Sequence, residues 1–273
     1  MGLSKPAPPG NDNFYDRWTE LFLRGFGPVL QAGLLKSGDP PREDPEQSVL
    51  ALAERAGLSD GDRVLDAGCG VGGPGIIIAS HYPTVVIDGV TPSKRQIAIA
   101  HRSAVSAGVS DRIRGHLADY QQLPFRDDSF DLVLFFESTG YATDLRATYC
   151  EAFRVLKPGG RLYVKDVFCI SDPLGDEQTA QMNSFDELWG CARSKTMDES
   201  VDEMVRAGFD VESSLPIRDI GTDRFVGSHF FLSPTEGLGV SELGEAFLRQ
   251  NLDPPIEFGE IKAIRPIVSE ASA

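Results

Sequence analysis

The densest chemistry in the chain lies between Val64 and Gly73, where a short apolar run ends in a turn carrying Gly68, Gly70, Gly72 and Gly73. Glycine suits a turn whose backbone takes positive φ angles and whose ligand must approach without meeting a Cβ. Asp66 adds a carboxylate two residues before the first glycine. The spacing alone leaves the ligand open, because Gly68, Gly70 and Gly73 also satisfy the G-x-G-x-x-G pattern of dinucleotide binders.

A second candidate is Glu137, directly after the apolar run Leu132 to Phe136. An acid there is costly unless it is used. At the carboxyl end of a strand it can act as an electrostatic partner and as a general base. Tyr141, Phe168, Phe185, Trp189 and Phe230 offer cation–π faces if they line a pocket, although each taken singly is more readily core than catalytic. A phosphate-bearing substrate needs positive charge, from Arg193, Lys195, Arg224 or His229, or from a bridging Mg²⁺. Cys69, Cys150, Cys169 and Cys191 are scattered without a C-x-x-C pair, so no metal centre is expected and all four read as reduced, buried thiols.

The elements that position these residues follow from periodicity. Residues 1–13 read as a flexible arm. Phe14, Trp18, Leu21, Phe22 and Phe26 recur at helical spacing, a second helix runs from Pro45 to Ala56, and together they make an N-terminal helical unit over 14–57. From Arg63 onward strands and helices alternate. Strands are expected at Arg63–Ala67, Thr84–Val90, Arg112–Leu117, Phe130–Phe136, Gly160–Phe168, Phe209–Ile217 and Phe258–Ile264. Helices are expected at Gly75–His81, Pro92–Ala107, Asp144–Leu156, Asp198–Ala207 and Val240–Gln250. Residues 171–197 break the rhythm and read as an inserted helical cap on a single domain spanning 14–273. Such alternation implies an α/β fold with parallel strands and a ligand at their carboxyl ends.

Several motifs in chain order resemble the class I S-adenosylmethionine-dependent methyltransferases. After the glycine turn come Gly89-Val90-Thr91 with Ser93 and Gln96, then Ala118-Asp119, then Leu123-Pro124-Phe125 ahead of Ser129-Phe130-Asp131, then Leu156-Lys157-Pro158-Gly159-Gly160. The resemblance implies a Rossmann-like fold, a seven-stranded, mostly parallel sheet with helices on both faces, and S-adenosyl-L-methionine as cofactor. It places Asp66 with the turn over the methionine part of the donor, and Asp119, with Tyr120 beside it, at the adenine amino group. The second strand of such enzymes ordinarily ends in an acid that grips both ribose hydroxyls. Here Thr91 stands in that place, Asp88 comes three residues earlier and Gln96 follows, so the ribose partner stays open.

Two further stretches narrow the resemblance. Phe14-Tyr15-Asp16 ahead of the first helix resembles the opening of the tocopherol, sterol and natural-product methyltransferases, where the aromatic closes over the donor. Phe136-Glu137-Ser138-Thr139-Gly140-Tyr141 is similar to the matching segment of the geranyl diphosphate C-methyltransferases. The function implied first is methylation of an isoprenoid double bond, on a prenyl diphosphate or terpenoid, in secondary metabolism. Glu137 and Tyr141 then stabilise a carbocation, and Glu137 takes the proton. Phe168, Trp189, Arg193, His229 and Phe230 are the expected substrate contacts. The runner-up is an O- or N-methyltransferase of a polyketide or alkaloid, with Glu137 or His229 deprotonating the acceptor. A nicotinamide-dependent oxidoreductase and a non-catalytic donor-binding scaffold are the remaining alternatives.

Composition limits the partners. The formal net charge of -15, with no basic cluster, repels a phosphate backbone, so nucleic acid is not expected. No apolar run approaches the roughly 20 residues of a membrane span. The amino terminus lacks the apolar core of a signal peptide, so a cytoplasmic location is expected. A homo-oligomer formed through the N-terminal helix is the one protein partner foreseen.

Overall fold

The computed structural model describes residues 15, 16, 19, 20, 23, 27–29, 34–36, 44–217, 225–227 and 254–267. In chain order the elements are β1 (Leu34–Lys36), α1 (Pro45–Arg55), β2 (Arg63–Ala67), α2 (Gly73–His81), β3 (Val86–Thr91), α3 (Lys94–Ser106), β4 (Ile113–Leu117) and β5 (Phe130–Phe136). A 3₁₀ turn (Thr139–Tyr141) precedes α4 (Leu145–Val155), β6 (Leu156–Cys169), α5 (Asp176–Trp189), α6 (Met197–Ala207), β7 (Asp210–Pro216), β8 (Phe225–Gly227) and β9 (Ile256–Ile264).

Seven strands form one sheet in the order β4-β3-β2-β5-β6-β9-β7. The pairs from β4 to β6 are parallel, and β9 runs antiparallel to both β6 and β7. In β5, Val133 and Phe135 enter one core cluster while Leu132, Leu134 and Phe136 enter the other, so the strand is apolar on both faces. A parallel sheet covered on both sides demands that pattern. The strand order reverses at β2, between β3 and β5, and ligands of open α/β sheets bind at that place. Loops anchored by local caps fix the helices: Asp44 accepts from the Gln47 amide ahead of α1, and Thr196 with Glu199 forms a capping box on α6.

Expected and observed elements differ where tertiary contacts extend a local signal. The strand expected from Gly160 begins at Leu156, with a register irregularity between Phe130 and Leu132 that absorbs the extra residues and Gly159 at φ +79°. Helix α2 begins at Gly73 rather than Gly75, with Pro74 in its first turn, where proline's missing N–H costs nothing. The pairing of Leu34–Lys36 with Phe225–Gly227 has no periodic signature and was not expected. The cysteine expectation needs correction: Cys69 and Cys169 are buried, but Cys150 is exposed on α4 and Cys191 is only partly covered. The stripe Phe14, Trp18, Leu21, Phe22 and Phe26 and the helix expected over 240–250 lie outside the described residues. Among the described residues no helix is long and apolar enough to cross a membrane.

Behind the sheet a buried polar knot ties the first helix to the last strand. Glu260, 0% exposed, accepts from Arg55 Nε at 2.7 Å and from the Tyr163 hydroxyl at 2.6 Å. Removing one member strands the others away from water, so Glu260→Ala is expected to lower the unfolding free energy by about 3 kcal/mol. Glu20→Ala, which breaks an exposed pair with Arg95, is expected to cost under about 1 kcal/mol. Urea titration of both variants checks this, and equal losses would contradict the knot's structural role.

Candidate active site

The turn after β2 is held by its own backbone. The amides of Gly68 and Cys69 both donate to the Val90 carbonyl, at 3.1 and 3.0 Å, and the Gly72 amide donates to the Cys69 carbonyl at 2.8 Å. Gly68 (φ +96°) has no room for a side chain, since a Cβ there would stand 2.4 Å from Ser138 Cβ. Gly70 (φ +52°) is the opposite case, with nothing within 4 Å of an added Cβ. One glycine therefore lets two strand ends meet, and the other leaves bare backbone facing open space. Together they fit a ligand laid along the turn.

A cleft of about 160 Å³ opens over that turn at the carboxyl ends of β2 and β5. Of the expected residues, Asp66, Gly68, Gly70, Thr91 and Gln96 line its turn side, and Tyr15, Tyr120, Glu137 and Tyr141 line the rest. The cleft also has walls that sequence reasoning missed, among them Thr19, Cys69, Phe136 and Ser138. The Ser138 hydroxyl donates to the Ala67 carbonyl at 2.6 Å, and the Tyr120 hydroxyl donates to the Ser138 carbonyl at 2.8 Å. The first bond clamps the two strand ends together, and the second braces them from the loop after β4.

The polar residues around the end of β3 fall into two groups. Asp88 is 1% exposed and spent inside the sheet, with Arg63 at 2.9 Å on one side and His116 at 2.7 Å on the other. At the end of β3 stands Thr91, whose hydroxyl donates to Gln96 Oε1, while Gln96 Nε2 donates to Thr19 at 3.0 Å. The Asp16 carboxylate accepts from the Ser93 hydroxyl at 2.5 Å, so the described N-terminal residues are pinned onto the start of α3.

Electrostatics differ from one wall to the other. Burial pushes the Asp66 carboxyl from 3.8 up to about 7. Burial, then the nearby Asp119 and Cys191, push the Tyr15 phenol up to about 12, and desolvation likewise raises Tyr120 and Tyr141. The three phenols therefore stay neutral near pH 7. The rings of Tyr15 and Tyr141 meet edge to face at 6.2 Å. Glu137, at φ +53°, forms an ion pair with Lys165, whose side chain is 0% exposed. Next along β6, buried Asp166 accepts from both the amide and the hydroxyl of Thr139 at 2.7 Å, fixing the 3₁₀ turn that carries Tyr141. A lysine and an aspartate inside the buried strand Leu162 to Phe168 were the signal that would have found this pair.

Other expected residues lie elsewhere. Gly72 turns away from the cleft, a Cβ there meeting Ala100 at 3.0 Å. Asp119 does not line the cleft itself but stands close enough to add to the burial-driven rise of the Tyr15 and Tyr120 phenols; it is half-buried, and its oxygens accept from the Gln121 amide at 2.8 Å and from the Gln121 side chain. Phe168 is a core residue, 1% exposed in the sheet, rather than a lining one. Trp189 is buried against Phe185 in α5 and does not line the cleft. Arg193 is half-exposed and paired with Glu199 and Asp172, and Lys195 donates to the Arg193 carbonyl. His229, Phe230 and Arg224 lie outside the described residues. Among the described residues no three His, Cys, Asp or Glu side chains gather where they could hold a metal ion.

A family model described as a methyltransferase domain matches residues 64–160. The chain is 34% identical over 202 residues to methyltransferase GfsG of Streptomyces halstedii, covering 73% of this chain and 72% of that one. It is 33% identical over 216 residues to the 27-O-demethylrifamycin SV methyltransferase of Amycolatopsis mediterranei, covering 78% of each. A sterol 24-C-methyltransferase of Gibberella zeae is 36% identical over 148 residues, but only 39% of its length is spanned. Among solved structures, the [4+2]-cyclase SpnF superposes with a TM-score of 0.78 at 23% identity over 98% of this chain and 100% of its own. A geranyl diphosphate C-methyltransferase from Streptomyces coelicolor superposes with 0.71 at 20% identity over 95% and 99%. With relatives above 30% identity matched over more than two thirds of their length, and with the strand order and glycine turn in place, the chain belongs to the class I S-adenosylmethionine-dependent methyltransferases.

Proposed function

We propose that this enzyme transfers a methyl group to an oxygen of a polyketide-type natural product, with Glu137 accepting a hydrogen bond from the acceptor hydroxyl. The observation that carries this reading is the ion pair of Glu137 with buried Lys165 at the cleft wall. A carbocation needs a negative charge that is not already balanced, and here the balancing cation is built in. A hydroxyl needs only an acceptor that orients it and receives its proton late in the transfer. The rifamycin relative, matched over 78% of both chains and named for an O-demethylated substrate, supports the same choice.

S-Adenosylmethionine supplies an electrophilic methyl carried on a sulfonium. The bare backbone from Gly68 to Gly70 would lie along its methionine part, with Asp66 facing the charged end. Thr91 and Gln96 would meet the ribose hydroxyls in place of the missing acid, and Tyr120 and Asp119 would stand at the adenine. Tyr15 and Tyr141 close the cleft from the N-terminal and 3₁₀ sides, keep water out and offer π faces to positive charge. Catalysis is then mostly positioning, which alone can supply about 7–11 kcal/mol of the barrier.

Methylation of an isoprenoid carbon is the second reading, favoured by the likeness of the segment Glu137 to Tyr141 to geranyl diphosphate enzymes. Its diphosphate would draw on Mg²⁺ or on cations outside the described residues. Incubating the enzyme with S-adenosylmethionine, hydroxylated polyketide aglycones, geranyl diphosphate and sterols separates the two by mass spectrometry. An O-methyl product on an aglycone is expected. A new carbon-bound methyl on an isoprenoid replaces the first reading with the second, and donor binding without methyl consumption across the panel sinks both.

The two glycines should fail differently. Gly68→Ala meets Ser138 and is expected to cost about 2 kcal/mol or more in stability. Gly70→Ala pays only the left-handed strain of about 1 kcal/mol but should weaken S-adenosylhomocysteine binding at least tenfold by calorimetry.

Asp66 gives a pH signature. Its folded-state pKa lies above the unfolded value, so the folded chain keeps a proton that the unfolded chain releases between about pH 4 and 7. Stability of the donor-free protein should therefore fall as pH rises through that window, and Asp66→Asn should flatten this part of the melting profile. S-Adenosylhomocysteine binding should tighten over the same rise, because an ammonium group favours the ionised acid. Affinity that is independent of pH in both proteins would remove Asp66 from the donor site.

A further inference from the structure

Lys165 is the least expected side chain in the sheet. It lies in the middle of β6, directly opposite Phe136 in β5, and its side chain is fully buried. Its neighbours in the strand, Tyr163, Val164 and Phe168, are core. An ammonium placed there gives up its hydration, and that is tolerable only with a partner in good geometry. The partner is Glu137, which is tied to Lys165 twice: its amide donates to the Lys165 carbonyl at 2.7 Å, and its carboxylate takes the ammonium. Glu137 also sits at φ +53°, a strained conformation for a residue with a side chain, and strain of that kind collects at functional sites. A merely structural pair could be replaced by apolar residues at little cost. This pair stands where one member, 10% exposed, reaches the cleft and the other does not.

We propose that Lys165 is a positioning residue for methyl transfer, holding the Glu137 carboxylate in its cleft-facing orientation and balancing its charge so that it acts as a hydrogen-bond acceptor toward the methyl acceptor. The proposal rests on the reading of Glu137 given above and names the device behind it. The described groups on neighbouring elements fit this assignment. Across the strand pair, Glu260 faces Lys165 in register but is taken by Arg55 and Tyr163. Phe258 of β9 covers the ammonium with its ring centroid 5.1 Å away. Asp166 points to Thr139, Tyr141 and Tyr15 are neutral phenols, and Cys191 carries a thiol that burial keeps protonated. Among these described groups, Lys165 is the cation placed to answer Glu137.

The test needs no acceptor molecule. In the full chain saturated with S-adenosylhomocysteine, the side-chain carboxyl of Glu137 is followed by ¹³C NMR across pH, its resonance assigned by its loss in Glu137→Gln. Lys165→Met, close in volume, is expected to raise the Glu137 titration midpoint by at least one unit while S-adenosylhomocysteine affinity changes less than twofold. Lys165→Gln serves the same purpose if the methionine variant does not fold. Lys165→Arg should return the midpoint to within half a unit of the wild type. An unchanged midpoint in Lys165→Met or Lys165→Gln overturns the proposal. So does a tenfold loss of S-adenosylhomocysteine affinity in a variant that still melts cooperatively, because Lys165 would then serve the donor cleft itself. A substrate panel that puts the methyl on carbon overturns the acceptor reading and leaves this measurement to stand or fall by itself.

Discussion

Two strand ends touch where Gly68 meets Ser138, with no space between them for even one methyl group. The contact is enforced by the hydrogen bond from Ser138 to Ala67 and braced by Tyr120 from a third loop. Because β2 and β5 are pressed together here, the sheet's reversal point forms a floor and the turn from Gly68 to Gly70 forms a ledge above it. Interiors are packed densely enough that such a contact cannot shift by a few tenths of an ångström without moving its neighbours. The cleft, the cofactor it takes and the side chains around its rim all depend on that approach.

Much of this arrangement was legible before any coordinates. The strands Arg63–Ala67 and Phe130–Phe136 coincide with their periodic runs, because a parallel strand buried on both faces must be apolar throughout. The glycine turn was legible because few other sequences permit three positive φ angles in five residues. Burial of Phe168 and surface pairing of Arg193 were not, since a single aromatic or cation carries no record of which way it faces. Lys165 was passed over for a related reason. Its charge inside the apolar run Leu162 to Phe168 is visible in the sequence, but its partner appears only when the fold brings the end of β5 beside it.

The distribution of charge follows the same logic. A chain with net charge -15 has acids to spare, and among the described residues several of its buried carboxylates are answered by cations, including Asp88 by a half-exposed Arg63, Glu260 by Arg55, and Glu137 by a fully buried Lys165. The first two lock elements together well inside the sheet or behind it. Only the third reaches the cleft. Breaking any buried pair is costly, but replacing one wholesale with apolar residues often is not. What distinguishes the third is therefore its place, at a wall where charge can act on a ligand.

Likeness of fold cannot choose the acceptor. A chain that superposes on a [4+2]-cyclase and on a geranyl diphosphate C-methyltransferase shares its sheet with proteins of different chemistry, so function must reside in side chains grafted onto the rim. In this chain the rim presents a carboxylate paired with a buried cation, neutral phenols on two sides, and the hydrogen-bonded hydroxyl–amide pair of Thr91 and Gln96. Each feature lowers the net charge of the cleft near the reacting centre. On the reading proposed above, a site of that kind suits a neutral nucleophile whose proton leaves only as the methyl arrives. Across the cleft, burial lifts the Asp66 carboxyl to about 7, and on the reading proposed above this acid faces the cationic donor. The division is a physical one: at one wall burial lifts a carboxyl toward neutrality, and at the other a buried cation balances a carboxylate.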